Sequence, residues 1–408
     1  MKGSTYLIVG AGQAGAWAAI AMRQAGFAGR IVLAGEEQWR PYERPPLSKA
    51  MLTEAEEPQP LYFHAAEKYE AERIELMLGA RAERIDLAAR RVALTDGRSV
   101  GFDRLLLTTG GRARPLRIPG GEHALLLRTL EEARGLRARL ATARRVLCIG
   151  AGVIGLEIAA SACARGAAVT VLEALARPMG RCVSPEGAAF MAALHRRAGV
   201  NLHCDVAVEA IEAARDGSYR VLAAGGTVFE ADLVVAGIGM ERELRLAEDA
   251  GLALDGGIVV DAFGETSVPG IYAAGDVAAF PHPLFGGRRM RLESWRHAQN
   301  HGIAVGRAMA GDANAYDDVP WFWTDQHGVN LQVSGLPSEA VTTIERVRTE
   351  TTLVLVHLAA DGSVAAVTAA NAPRDARAGM ALVKARAKPD PARLADPSVP
   401  LQQLIPRA

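Results

Sequence analysis

Glycines at positions 10, 12 and 15, and again at 150, 152 and 155, have a spacing with chemical meaning. In such a set the first glycine permits a tight turn, the second lets backbone approach a pyrophosphate, and the third lets a helix pack on a strand. The helix that follows presents free N–H groups and the positive end of its dipole to the phosphates. An acid lies just beyond the next apolar run in each copy, Glu36 in the first and Glu173 in the second. That is where a carboxylate accepts hydrogen bonds from ribose hydroxyls. One such set is weak evidence, because glycines also fill turns; two complete sets point to two bound dinucleotides.

The elements that must position these loops can be read around them. Residues 5–9 and 145–149 are short apolar runs entering the glycines, helical stretches follow over about 16–25 and 156–164, and buried strands follow at 31–34 and 169–172. Both βαβ units are therefore complete. Each copy then carries a hairpin signal, turning at Asp96-Gly97 and at Gly225-Gly226. These lead through Asp103 and Asp232 into apolar runs ending at Thr109-Gly110 and Gly237-Ile238-Gly239. The chain is a duplicated α/β module with unequal insertions. From about Val319 the pattern changes to strand-like segments with a turn at Asp361-Gly362, which predicts a third, mainly antiparallel domain.

With 408 residues, half of them hydrophobic and 23% charged, the chain is globular and long enough for two or three domains. Its 46 basic residues cancel its 46 acidic ones, so no overall field favours nucleic acid or an anionic membrane. Cys148, Cys163, Cys182 and Cys204 form neither a CxxC nor a metal spacing, and no disulfide framework is expected. The uncharged run from Ser4 to Met22 is broken by its glycines, and no signal-peptide cleavage pattern follows, so a cytoplasmic chain is expected. His297 and His301 stand at helical spacing and read as helix-face residues; no metal site is predicted.

A late segment, Thr266-Ser-Val-Pro-Gly-Ile-Tyr-Ala-Ala-Gly275-Asp276, ends a strand in Gly-Asp. Together with the two glycine loops it resembles the two-dinucleotide flavoprotein reductases of glutathione-reductase-like fold, where that aspartate contacts the ribityl and phosphate region of FAD. The glutathione-reductase-like members carry a Cys-x4-Cys pair after the first βαβ region; here there is none. In its place stands Arg40-Pro-Tyr-Glu-Arg44-Pro45-Pro46-Leu-Ser-Lys49, similar to the signature of the putidaredoxin-reductase and apoptosis-inducing-factor branch. The prolines fix backbone torsions, and Lys49 would bring a cation to the flavin.

That resemblance implies a fold of two Rossmann-like domains plus a C-terminal α+β domain. Residues 1–110 and 240–318 would bind FAD, 111–239 NAD, and 319–408 would form the C-terminal domain. It further assigns Ala14, Arg44, Pro45, Ala82, Thr109, Gly110, Arg128, Gly275, Asp276, Glu293, Ser294 and Trp295 to FAD. Val153, Ile154, Arg181 and the Gly237–Gly239 turn go to the nicotinamide nucleotide. Arg128 also reads as a helix-start surface arginine, and Trp295 as a core aromatic. Thr109-Gly110-Gly-Arg112-Ala113-Arg114 has alanine where the family has proline, which leaves the placement of Arg114 open. Trp321 and Trp323 would lie at the flavin's edge facing the electron acceptor.

Glu173 favours NADH over NADPH, since a carboxylate accepts from the ribose 2′-hydroxyl and repels a 2′-phosphate. Arg177 and Arg181 nearby fit either such a phosphate or the pyrophosphate. Glu157 is placed to hold Lys49 or a carboxamide. With no dithiol in sight, the flavin must carry the redox chemistry. The expected activity is a FAD-dependent ferredoxin–NAD(+) reductase that takes a hydride from NADH and passes single electrons to an iron–sulfur protein. The likeness is to the reductases of biphenyl-type aromatic-ring dioxygenases, whose acceptor is a Rieske-type ferredoxin. Arg288, Arg289 and Arg291 form a local basic cluster suited to an acidic ferredoxin. A monomer or weak homo-oligomer is expected. Two other functions stand beside this one: an NADH oxidase or disulfide reductase, and a protein like apoptosis-inducing factor that binds NADH and acts through partners.

Overall fold

The computed structural model describes residues 3–406 and divides into two compact units. The first comprises the residues up to Glu43, Pro60–Arg112 and Glu241–Asp318. The second comprises Arg44–Gln59, Ala113–Met240 and the residues from Val319 onward.

The first unit is built on a parallel five-stranded sheet in the order Ile271–Ala273, Arg104–Leu107, Thr5–Val9, Arg30–Ala34, Ile74–Met77. Leu7, Val32 and Leu105 face one core, while Ile8, Leu33 and Leu106 face another, so the strands read as continuous apolar runs buried on both sides. Truncating one of these leucines to alanine would cost about 2–5 kcal/mol. The helices Gln13–Gln24 and Trp295–Ala310 pack closely because Gly302 and Gly306 have no side chain. A Cβ on Gly302 would stand 2.3 Å from the Ala14 carbonyl oxygen, and one on Gly306 2.5 Å from that of Ala18.

The second unit repeats this plan in the four-stranded parallel order Asn201–His203, Ala168–Leu172, Arg145–Ile149, Leu233–Ala236. Each unit also carries a three-stranded antiparallel sheet, Ala82–Asp86 with Arg91–Leu94 and Ser99–Gly101 in the first. Its counterpart is Val208–Ala213 with Tyr219–Ala223 and Val228–Ala231. The duplication extends to single hydrogen bonds. The Asp103 carboxylate accepts from the Thr5 N–H at 2.7 Å, and that of Asp232 accepts from the Arg145 N–H at 2.9 Å. Each acid thus ties the parallel strand that it precedes, Arg104–Leu107 or Leu233–Ala236, to the start of the strand that enters the glycine loop.

From Val319 the second unit adds a five-stranded antiparallel sheet in the order Trp321–Gln326, Val329–Gly335, Val364–Ala370, Leu353–Leu358, Thr342–Arg348. The helix Pro373–Lys384 covers it, with Gly379 lying on Val367. No helix among the described residues is long and apolar enough to cross a membrane.

Candidate functional site

Both glycine loops have the same internal geometry. Gly10 has φ +114°, and a Cβ there would fall 2.2 Å from the Thr108 carbonyl oxygen; Gly150 has φ +96° and faces the Gly237 oxygen at 2.7 Å. A Cβ on Gly15 would meet the Gly10 oxygen at 2.1 Å, and one on Gly155 the Gly150 oxygen at 2.1 Å. The outer glycines are therefore fixed by the protein's own backbone. The middle ones are different: a Cβ on Gly12 would meet nothing within 4 Å, and one on Gly152 only the Gly237 oxygen at 3.6 Å. Close packing does not demand glycine there, but a ligand lying against the backbone would. Helices Gln13–Gln24 and Val153–Ala164 begin at these residues with neither a capping side chain nor an acid in the first turn, so their N-terminal N–H groups are left for an anion. The loops fit the pyrophosphates of two dinucleotides.

Glu173 is tied into the second loop, one carboxylate oxygen accepting from the Ala151 N–H at 2.6 Å and the other from the Leu175 N–H at 2.9 Å. Arg177 and Arg181 are exposed, and the Arg181 guanidinium comes within 4.0 Å of the Cβ position of Gly239. Val153 is half-buried, and Ile154 keeps 41% of its surface exposed at the mouth of this loop. In the first unit Glu36 is exposed, whereas its neighbour Glu37 accepts the Tyr42 hydroxyl at 2.5 Å.

Ala14 and His301 lie against Gly275 in the first unit. Position 275 has no room for a side chain, since a Cβ there would lie 2.9 Å from that of Ala14, and Gly275 donates its N–H to Nδ1 of His301 at 3.2 Å. Arg242, which the sequence did not single out, donates to the Asp276 carbonyl at 2.9 Å and pairs with Glu293. Ser294 caps the helix Trp295–Ala310, and Thr109 donates its hydroxyl to the Glu243 carbonyl at 2.8 Å. Gly110 is left-handed at φ +61°, and Ala82 opens the antiparallel sheet.

The two histidines on that helix are not at the surface. His297 and His301 are each 2% exposed and packed among Phe280, His282 and Tyr316. Burial lowers the His297 pKa to about 3 and holds that of His301 well below the usual imidazole range. Helical spacing places them on one face; the sequence hid that this face is covered. No group of histidines, cysteines or carboxylates among the described residues is arranged to hold a metal.

The second unit holds an ion pair whose acid is buried. Pro45–Ser48 forms a short 3-10 turn that delivers Lys49, whose ammonium stands 2.8 Å from Glu157 Oε1 and 3.3 Å from the Pro45 carbonyl. Glu157 is 2% exposed, and its carboxylate also accepts the hydroxyls of Ser48 and, at 2.6 Å, of Thr324. These donors satisfy the oxygens of a carboxylate that is shut off from water. Ser161 donates to the Ser48 carbonyl at 2.6 Å, fixing the turn on the helix that carries Glu157. Arg44 donates to the Arg128 carbonyl, and Thr129 with Glu132 forms a capping box that starts the helix Leu130–Leu140 beside it. Ser48, Thr324 and Ser161 were not foreseen, although strand alternation alone sets Thr324 opposite Trp321 and Trp323.

Trp321 and Trp323 stack with ring centroids 5.2 Å apart, and Trp323 Nε1 donates to Asp325 at 3.1 Å. All four cysteines are free thiols, and burial pushes that of Cys148 up to about 12. In the first unit, Arg289 pairs with Asp255 at 3.3 Å and Arg291 donates to the Asp255 carbonyl at 2.9 Å, while Arg288 lies over Phe285.

The comparisons agree with this geometry. Residues 4–302 match the model of the pyridine nucleotide-disulphide oxidoreductases, and residues 321–405 that of the reductase C-terminal domain. The ferredoxin–NAD(+) reductase component of the p-cumate 2,3-dioxygenase system of Pseudomonas putida is 40% identical, over 98% of this chain and 98% of its own. The corresponding component of the anthranilate 1,2-dioxygenase system of Burkholderia cepacia is 39% identical, over 99% of this chain and 100% of its own. Among solved structures, the covalent putidaredoxin reductase–putidaredoxin complex superposes with a TM-score of 0.94 at 36% identity, covering 99% of each chain.

Proposed function

Because the chain belongs to the pyridine nucleotide-disulphide oxidoreductase family, we propose that it is a FAD-dependent ferredoxin–NAD(+) reductase serving an oxygenase system. The support is the pair of glycine cradles with open middle positions, together with a lysine paired to a buried glutamate in a chain whose cysteines are not arranged as a dithiol. When bound, FAD supplies the conversion of a two-electron hydride donor into single electrons.

The chain's own residues bind, orient and set charge. We assign the FAD pyrophosphate to Gly10, Gly12 and Gly15 with the helix they open, its ribose to Glu36, and its ribityl and phosphate region to Gly275-Asp276. The NADH pyrophosphate belongs to Gly150, Gly152 and Gly155. Glu173 accepts from the ribose 2′-hydroxyl, which favours NADH, and Arg181 with the Gly237–Gly239 turn completes that site. Lys49 presents a positive charge that favours negative charge on the reduced ring, and Glu157 fixes it in place. Trp321 and Trp323 offer an aromatic surface to the acceptor. Residues 1–110 and 240–318 are thus read as the FAD-binding domain, 111–239 as the NAD-binding domain, and 319–408 as the C-terminal domain.

The acceptor is a ferredoxin, of Rieske type if the oxygenase is an aromatic-ring dioxygenase. The free thiols fit a reducing, cytoplasmic setting, and a monomer or weak homo-oligomer is the assembly proposed. The test is an anaerobic titration. The purified chain loaded with FAD should be yellow, bleach on addition of NADH, and reduce a Rieske-type ferredoxin one electron at a time. A chain that takes up no FAD, or a flavin that NADH does not bleach, overturns the reading.

A further inference from the structure

The buried carboxylate of Glu157 is the end point of a hydrogen-bond chain that starts near the surface. His327 Nε2 lies 3.2 Å from His195 Nδ1, and His195 Nε2 lies 2.7 Å from Gln326 Oε1. Gln326 Nε2 donates to Thr324 Oγ1 at 2.8 Å, and Thr324 donates to Glu157 Oε1 at 2.6 Å. The direction of every link is forced. An amide oxygen only accepts, so His195 carries its proton on Nε2; neutral, it has Nδ1 free to accept from His327. The amide nitrogen gives its hydrogen to the Thr324 oxygen, which leaves the hydroxyl hydrogen for the carboxylate. All the donors therefore point toward Glu157, and each polarises the next.

The strand carrying these residues is built for the task. Trp321–Gln326 pairs with Val329–Gly335, and the two strands are closed by His327 and Gly328 at φ +49° and +74°, a two-residue turn with both residues left-handed. A histidine is uncommon at such a position. Here its ring supplies the outermost donor of the chain. Thr324 and Gln326 are 0% and 1% exposed, and they lie on the face of the strand opposite Trp321 and Trp323.

We propose that Thr324 and Gln326 are positioning residues for Lys49, acting through Glu157. By occupying Oε1 from the sheet while Ser48 binds the carboxylate from the turn, they fix its plane, so that the lysine has one place to bind. This rests on the reductase reading for its purpose but not for its geometry.

The experiment labels the purified full-length chain, with and without added FAD, using trinitrobenzenesulfonate and reads each lysine by mass spectrometry. Thr324→Val should raise the labelling rate of Lys49 about tenfold, the equivalent of one lost charge-assisted hydrogen bond, with Lys68 unchanged as the control. Thr324→Ser should return it to within about twofold of the unaltered chain. Gln326→Met should act in the same direction as Thr324→Val and decides the matter if that variant does not fold. In the FAD-loaded enzyme, kcat for ferricyanide reduction should fall with KM for NADH unmoved. Unchanged Lys49 labelling in Thr324→Val and Gln326→Met, or Thr324→Ser labelling as fast as Thr324→Val, overturns the proposal. A flavin that NADH never bleaches would instead sink the reductase reading and leave the labelling result standing.

Discussion

The Lys49 ammonium stands 2.8 Å from the Glu157 carboxylate, the lysine side chain 23% exposed and the glutamate 2%. This asymmetry predicts which half of the pair the fold can lose. Lys49→Met leaves a buried carboxylate with hydroxyl donors only and should lower unfolding stability by about 3–5 kcal/mol. Glu157→Gln removes the buried charge and leaves Lys49 able to reach water, so it should cost less. Urea unfolding of the two variants checks the order; a larger loss for Glu157→Gln contradicts it. Both variants should slow NADH-dependent flavin reduction.

The glycine loops separate folding from binding. Gly12 and Gly152 have φ of −92° and −74°, which alanine adopts without strain, and a Cβ there meets little or nothing of the protein. Gly12→Ala should keep the melting temperature within about 2 °C and weaken FAD binding at least tenfold. Gly152→Ala should keep FAD and weaken NADH instead. Gly15→Ala and Gly155→Ala, each forced within 2.1 Å of a carbonyl oxygen, should destabilise the chain itself. Thermal melts with flavin and NADH titrations check all four, and a Gly12→Ala chain that binds FAD normally rules out that cradle.

Glu173 accepts two backbone N–H groups while facing the second cradle, so its negative charge is held in place. Glu173→Gln keeps the size and removes the charge, at the loss of one of these two hydrogen bonds, since an amide has a single acceptor oxygen. The ratio of kcat/KM for NADH over NADPH should fall about tenfold or more, with exposed Arg177 and Arg181 left to receive the 2′-phosphate. An unchanged ratio places cofactor choice elsewhere.

The sequence made the modules visible because a glycine loop and an apolar strand are local patterns. Asp103 and Asp232 stand out as the acids that each precede a parallel strand, though not their hydrogen bonds to Thr5 and Arg145. Contacts that join distant segments were hidden. Nothing near Glu157 in the chain announces Thr324, 167 residues away, and nothing near Asp276 announces Arg242. The burial of His297 and His301 was hidden for the same reason, since it depends on Phe280 and Tyr316 packing over that helix face.

The buried histidines His297 and His195 predict a pH dependence of stability. Burial lowers the pKa of His297 to about 3 and that of His195 to about 4, from 6.5. As pH falls below 6.5 the unfolded chain takes up protons that the folded chain refuses, so stability drops with acidity until the folded pKa is reached. Each such group contributes a slope of about 1.4 kcal/mol per pH unit. Melting temperature should therefore fall steadily from pH 6.5 to pH 4, and His195→Gln should flatten the slope. A flat profile over that range would show these imidazoles protonated in the folded chain.

Arg289 and Arg291 both turn to Asp255, so the basic cluster offers less free charge than its sequence suggests. Asp255 is itself half exposed, which makes it a removable counterweight. If this cluster receives an acidic ferredoxin, Asp255→Asn should raise the association rate at about 0.01 M salt, where the screening length is about 30 Å. At about 1 M salt that length is about 3 Å, and the gain should vanish. Reduction of small dyes should not change at either salt, because they need no docking surface. Stopped-flow ferredoxin reduction at the two ionic strengths reads the difference. A variant that behaves like the unaltered chain at low salt would move the docking surface away from Arg288, Arg289 and Arg291.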